Sequence, residues 1–303
     1  MRITFRLPAS TSNFGSGFDV LGAALTLYNE FSIEQVSMPA QSGIFISGQG
    51  CKGLPKDEAN IVWKILQETL RRLGKPAIKL SEYKLTISCN VPLASGLGSS
   101  ATAAAAGIAL ADAVSNAKLT KQNMAEIATE IEGHPDNAVP CIMGGLCLCF
   151  LQNGKLDFCK IDTQKLKIII AHPAFEISTH KARQALLKEY PLADIVFNIS
   201  HASLFVFALQ TQRYDLLEAA LDDKIHQPYR IKNIDYADEV FNAAKKAGAF
   251  GTFISGSGPS LAAISNSECA QGIAQAMKNA WVKRGIETKS FILDFDEQGL
   301  VRL

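Results

Sequence analysis

The sequence predicts an α+β protein of two domains, and three observations carry that expectation. A strand-like run, YKLTISCNV (83–91), leads through a glycine-serine loop into an alanine-rich run from Thr102 to Val114 with helical composition. Further on, the apolar runs TFI and SLAAI flank S-G-S-G-P and predict two antiparallel strands, followed by a helix from Ser267 to Arg284 and a strand IETKSFILDF. Size is the third: 303 residues, 48% hydrophobic and 19% charged, suit a globular chain with length for two modest domains. The boundary is expected between the strand-like runs MGGLCLCFL and KLKIIIAHP, giving units 1–160 and 161–303.

In chain order, RITFRLPAS reads as a strand ending at Pro8. The loop after it, Thr11 to Gly17, packs small polar residues and two glycines beside Phe14 and Phe18, a composition able to close over a ligand. Asn13 and Asp19 bracket it; taken alone, Asn13 fits a turn and Asp19 a helix cap. Residues 57–73 carry apolar positions at 61, 62, 65, 66, 70 and 73, an amphipathic helix that closes at Gly74 and Pro76, with Asn60 in its first turn as a capping or solvent residue.

The next loop joins strand to helix through Pro92, Leu93, Ala94, Ser95, Gly96, Leu97, Gly98, Ser99, Ser100, Ala101 and Thr102. Gly96 and Gly98 let the backbone turn sharply and approach a ligand, and Ser99 and Ser100 sit where a helix is capped. A helix start leaves amides unpaired and carries roughly half a positive charge, which suits a di- or triphosphate. The lysine of a Walker loop and the third glycine of a dinucleotide fingerprint are both missing.

Thirty basic against twenty-nine acidic residues give a net charge of +1, with no footprint for nucleic acid or an anionic membrane. Seven cysteines without a C-x-x-C pair argue for a reducing compartment, and Cys147 and Cys149 alternate like core residues of a strand. MRITFRLPAS lacks the apolar core of a signal peptide, and the alanine-rich helix, taken as the most apolar one, is broken by Asp112; a cytoplasmic protein is expected.

The run P-x-x-x-G-L-G-S-S-A resembles the phosphate loop of the small-molecule kinases that include galactokinase, homoserine kinase, mevalonate kinase and phosphomevalonate kinase. PASTSNFGSGFDVLG (8–22) resembles the first signature of the homoserine kinases, with Ser10-Thr11 where that family has Thr-Ser and with Phe14 and Ser16 as departures in packing positions. E-G-H-P-D-N (132–137) and the G-S-G-P-S within 248–265 resemble two further signatures, and Thr179 and Arg183 keep the family's four-residue interval. The resemblance spans almost the whole chain. It implies a two-domain small-molecule kinase fold of the homoserine/mevalonate kinase type, an N-terminal ATP-binding domain followed by a C-terminal ferredoxin-like domain. It further implies ATP and magnesium as cofactors, L-homoserine as the small-molecule substrate, and O-phospho-L-homoserine, on the way to threonine, as product. A homodimer is compatible with it; nucleic acid and membrane are not expected as partners.

By the same resemblance Asn13, Asp19, His134, Asn137, Arg183 and Arg230 hold the amino acid, the loop from Pro92 to Thr102 holds the phosphates, and Asn60 touches the adenine. Gly256 and Gly258 bring the last signature against the first domain's site. A carboxylate is the natural partner of an α-ammonium group, and the planar fork of an arginine suits a carboxylate. Magnesium between the phosphates wants one or two carboxylates. The candidates are Glu126, Glu130 and Glu132, with Ser99 as a hydroxyl ligand; counting back from Asp136 favours Glu126, the helix end favours Glu130 or Glu132, and Glu130 ranks first. No catalytic base is assigned. A mevalonate-type kinase would have no use for Asp19 beside two arginines, and a silent binding member would be expected to lose the metal Glu or the loop serines.

Overall fold

Two β-sheets divide the chain. The computed structural model describes residues 2–48, 50, 51, 53–163 and 165–303, except for the side chains of Thr179 and His180. In the first sheet β1 (Arg2–Ser12) and β2 (Leu21–Gln35) pair antiparallel around the 13–20 loop. The sequence pattern ends β1 at Pro8, yet the strand runs on to Ser12: the register shifts between Pro8 and Ala9, and this bulge absorbs the donor that proline lacks. The loop residues at 13–19 are therefore delivered from the end of a long, tightly held strand.

β3 (Gly43–Ser47) lies parallel to β4 (Tyr83–Ser88), as a crossover through α1 (Ile61–Arg72) requires. α1 begins at Ile61, because the Asn60 side chain caps it by accepting from the Val62 amide at 3.0 Å. α2 (Ser99–Ser115) is buried along most of its length, which small alanines permit against α1, α3 (Lys121–Glu132) and α4 (Pro135–Met143). The 132–137 stretch, a polar loop in the sequence pattern, is a helix junction instead, with Pro135 opening α4. β5 (Leu146–Gln152) and β6 (Lys155–Ile161) complete the sheet as a hairpin, with Cys147 and Cys149 in its core.

The second sheet begins at β7 (Lys167–Pro173). α5 (Thr179–Gln184), α6 (Leu192–Gln210), α7 (Leu217–Ala220), α8 (Gln227–Arg230) and α9 (Ala237–Lys246) follow, then β8 (Gly251–Ile254), β9 (Leu261–Ser265), α10 (Ser267–Val282) and β10 (Thr288–Leu293). Its order β10-β7-β9-β8, antiparallel throughout, is the split β-α-β-β-α-β arrangement of ferredoxin-like domains. α9 and α10 cover one face around Trp281. The other face joins the first sheet through Phe14, whose ring stacks on Phe253 at 4.7 Å and meets Phe205 at 5.4 Å. The sheets change over between Ile161 and Lys167, but β11 (Val301–Arg302) returns to pair with β1, so the chain's end belongs to the first sheet.

Among the described residues α6 is the helix long and apolar enough to cross a membrane, by length and composition alone; the alanine-rich α2 is not. α6 packs on α7 and buries Asn198, the polar residue that ties it to the site below.

Candidate active site

One cavity of about 160 Å³ opens between the sheets, and its wall has two ends. At the first, Ala94, Ser95, Gly96, Gly98, Ser99 and Ser100 line it. Gly96 (φ +79°) and Gly98 (φ +68°) both take left-handed backbone. A Cβ on Gly96 would stand 2.1 Å from the Ser255 carbonyl oxygen, and one on Gly98 would stand 2.0 Å from Ser10 Oγ. Gly98, rather than a serine, is the N-cap, and no side chain caps α2. Ser99 and Ser100 are its first residues, so the helix start keeps its positive end directed at the cavity, as a phosphate requires.

An adjoining cavity of about 200 Å³, mostly apolar, shares Ala94, Ser99 and Ser100 with the first and adds Leu93, Thr102 and Asn60. Asn60 is nevertheless spoken for as a cap, its amide nitrogen donating to the Pro55 carbonyl at 2.8 Å. Pro92 faces a different hollow, against His172 and Phe291. Leu97 and Ala101 are wholly buried and line none of these spaces; Leu97 packs in the apolar cluster around Phe14. Gly256 lines the main cavity, whereas Gly258 does not and packs beside Ile234. The loop they belong to locks the two ends together: Ser255 Oγ donates to the Gly96 carbonyl at 2.8 Å and the Gly256 amide to Ser12 O at 3.2 Å.

Among the three metal candidates, Glu130, ranked first, does not face the cavity, and neither does Glu126. Glu130 pairs with Arg72 at 2.6 Å on the outer face of α3, and Glu126 takes a bond from Gln122. Glu132 lies two residues, about 200°, further round the helix from Glu130 and so faces the opposite way. It lines the cavity and accepts a hydrogen bond from Ser100 Oγ. A carboxylate and two serine hydroxyls beside a helix start form the hard oxygen set that suits magnesium, so the residues present fit the ATP and metal that the sequence implies.

The other end is built from side chains. Asn13 (φ +75°) and Asp19 (φ +58°) both hold left-handed backbone, and Asn13 fixes the loop by accepting from the Asp19 amide at 3.1 Å and donating to Gly256 O at 2.8 Å. Asn13 thus shapes the pocket with both of its polar atoms. Asp19 forms an ion pair with Arg183 across the two halves of the chain. Thr179, four residues before Arg183, has its side chain outside the described residues. Arg230, only 4% exposed, makes no ion pair among the described residues; its Nη1 donates to Gly256 O at 3.1 Å and its buried Nε has no hydrogen bond. Burial lowers its pKa from the ordinary value, and a buried guanidinium with an idle N–H calls for an anion.

His134 Nδ1 lies 2.5 Å from the buried Asp136 carboxylate. Burial opposes its positive charge, but the Asp136 bond and charge, helped by Asp19, win and raise its pKa. Asn137 is clamped, donating to Ser10 Oγ at 3.0 Å and accepting from Ser12 Oγ at 3.1 Å. Ser12, Asp136 and Ser257 also line the cavity. The sequence reading missed all three as wall residues, although Ser12 directly precedes Asn13 and Asp136 stands inside the second signature.

A glycine loop at an uncapped helix start, a carboxylate beside it and a ferredoxin-like second domain are the frame of a small-molecule kinase. Residues 60–145 match the family model described as GHMP kinases N terminal domain, and residues 206–283 match GHMP kinases C terminal. A curated homoserine kinase from Synechococcus sp. is 40% identical over 99% of this chain and 97% of its own length, and one from Microchaete diplosiphon is 37% identical over 98% and 96%. The crystal structure of homoserine kinase from Cytophaga hutchinsonii superposes with a TM-score of 0.87 at 31% identity, covering 100% of this chain and 97% of that one. The chain belongs to the homoserine kinase family of the GHMP kinases.

Proposed function

We propose that the protein transfers the γ-phosphoryl group of ATP to the side-chain hydroxyl of L-homoserine, giving ADP and O-phospho-L-homoserine for threonine synthesis. One observation carries this reading: a single cavity holds an uncapped helix start with Glu132 at one end and Asp19 with two arginines at the other. Asp19 and Arg183 neutralise each other across the cavity. A zwitterion inserted between them gives each charge a new partner, the α-ammonium on Asp19 and the carboxylate on Arg183 and Arg230, so little electrostatic energy is lost in the exchange. An acceptor without an ammonium group, such as mevalonate, would leave Asp19 without that second partner.

The α2 start and the Gly96–Gly98 backbone would receive the phosphates, while Glu132 and the serine hydroxyls would hold magnesium. Magnesium held there would supply positive charge to balance the charge that develops on the transferring phosphoryl group. Because that transition state is loose, alignment and charge stabilisation do most of the work, and no strong base is required of His134 or Asp136. We place the reaction in the cytoplasm, where the seven free cysteines stay reduced.

The test is ADP release with ATP and magnesium against L-homoserine, mevalonate, galactose and shikimate. Turnover on homoserine alone is expected. Turnover confined to an alcohol without an amino group would overturn the acceptor while leaving a kinase.

A further inference from the structure

Behind Arg230 lies a buried imidazole to which neither the sequence signatures nor the cavity wall assign a part. His226 is 0% exposed and stands at the N-cap position of the short α8 from which Arg230 projects, its side chain making no capping bond. Its Nε2 is 2.8 Å from the Gly15 carbonyl oxygen. A carbonyl only accepts, so Nε2 carries the proton. Its Nδ1 lies 3.4 Å from Arg230 Nη1, and a guanidinium only donates, so Nδ1 is the bare acceptor. The two contacts are satisfied together by one neutral tautomer. A second proton would set an N–H against the arginine.

The surroundings hold that ring in place. Asp223 Oδ2 accepts from the His226 amide at 2.7 Å and the Gln227 amide at 2.5 Å, and Oδ1 accepts from Asn198 of α6 at 2.7 Å. The same carboxylate approaches Nε2 only to 3.6 Å, too far to take its proton from the Gly15 bond. Phe18 lies over the ring at 5.3 Å and over the Arg230 guanidinium at 5.1 Å. Burial first, and the Arg230 charge against the pull of Asp223, bring the imidazole pKa down to about 4.

We infer that His226 is a positioning residue: through Nδ1 it aims the idle Nε edge of Arg230 at the substrate carboxylate, and through Nε2 it ties that arginine to the loop carrying Asn13 and Asp19. This rests on Arg230 as the carboxylate contact. Two conservative variants divide the roles. In His226→Asn the amide oxygen falls near Nδ1 and can accept from Arg230, whereas in His226→Gln the amide nitrogen falls near Nε2 and can donate to Gly15.

The experiment measures KM for L-homoserine and for ATP, kcat and Tm in the full-length wild type, both variants and Arg230→Met. His226→Gln is expected to raise KM for homoserine about tenfold with KM for ATP within about twofold, the size of one lost hydrogen bond to a charged group. His226→Asn is expected to keep KM for homoserine within about threefold while its Tm falls below that of the Gln variant. Equal behaviour of the two variants, or a parallel rise in both KM values, would overturn the inference. An Arg230→Met protein with wild-type KM for homoserine would instead sink the carboxylate reading beneath it. A raised KM in that protein beside an unchanged one in His226→Gln would remove His226 alone.

Discussion

At the proposed phosphate end the cavity wall comes from one short stretch, six positions between Ala94 and Ser100 with the Glu132 carboxylate beside them, and its backbone is held by Gly96 and Gly98 in conformations a side chain would forbid. At the end proposed for the amino acid it is side chains, brought from Asp19, His134, Arg183 and Arg230 on four distant segments and fixed by hydrogen bonds. The chemistry of the ligands explains the contrast. A phosphate accepts from any amide that points the right way, so a loop and a helix start suffice. An amino acid presents one positive and one negative group a few bonds apart, and recognising both needs opposite charges from different parts of the chain.

If the phosphate end is a matter of backbone shape, a single methyl group should ruin it. Gly96→Ala places a Cβ 2.1 Å from the Ser255 carbonyl, a backbone atom that cannot swing aside, and it also forces a left-handed alanine at a cost of about 1–2 kcal/mol. Displacing reacting groups by about 1 Å costs on the order of 100-fold. A fall of at least about 100-fold in kcat/KM is therefore expected, with KM for ATP rising more than KM for homoserine. Equal rises would show that the two ends do not act separately.

Glu132→Gln removes the carboxylate from the phosphate end without changing its shape. Activity is expected to fall about 30- to 100-fold and the magnesium concentration for half-maximal rate to rise, as for loss of a charge-stabilising group. Glu130→Gln, which breaks only the surface pair with Arg72, should leave both within about twofold. The reverse ranking would restore Glu130 as the metal ligand. At the other end Asp19→Asn, a partly exposed position, is expected to raise KM for homoserine about tenfold while KM for ATP stays within about twofold. A titration of initial rates against each substrate separates the two.

The same contrast decides what could be read before the structure. The residues proposed to bind phosphate follow one another and so leave a pattern in the sequence, as does the split β-α-β-β-α-β order of the second domain. Choosing among Glu126, Glu130 and Glu132 needed the rotation of α3 relative to Arg72 and Ser100, which spacing does not supply. The run of β1 past Pro8 depended on a bulge, and the opening of α4 at Pro135 on packing against α2. His226 was hidden for a third reason: its partners, Gly15 and Arg230, are 211 and 4 residues away, and neither interval has a meaning until both loops are in place.

The amino-acid end should also be the one that acid opens. His226 is held neutral with its pKa brought to about 4 by burial, against an ordinary value of 6.5. Because the folded value is the lower one, the unfolded chain takes up the proton first. The stability this histidine gives is complete above pH 6.5 and is lost as pH falls toward 4, by at most about 1.4 kcal/mol per pH unit. His172, beside Ser260, is shifted in the same direction by burial, whereas His134 is raised and favours the fold at lower pH. Carboxylates such as Glu68, pulled down to about 2 by Arg71 and Arg72, lose their contribution only below about pH 4.5. Denaturant unfolding between pH 6.5 and 5 therefore reads the histidines, and His226→Asn should flatten that slope while His172→Asn flattens it independently. Hydrogen exchange at pH 5 should rise first in residues 223–230 and the loop at Gly15, before residues 96–101. Earlier loosening of the glycine loop would mean that the buried imidazole is not what acid attacks, and that the two ends share one stability.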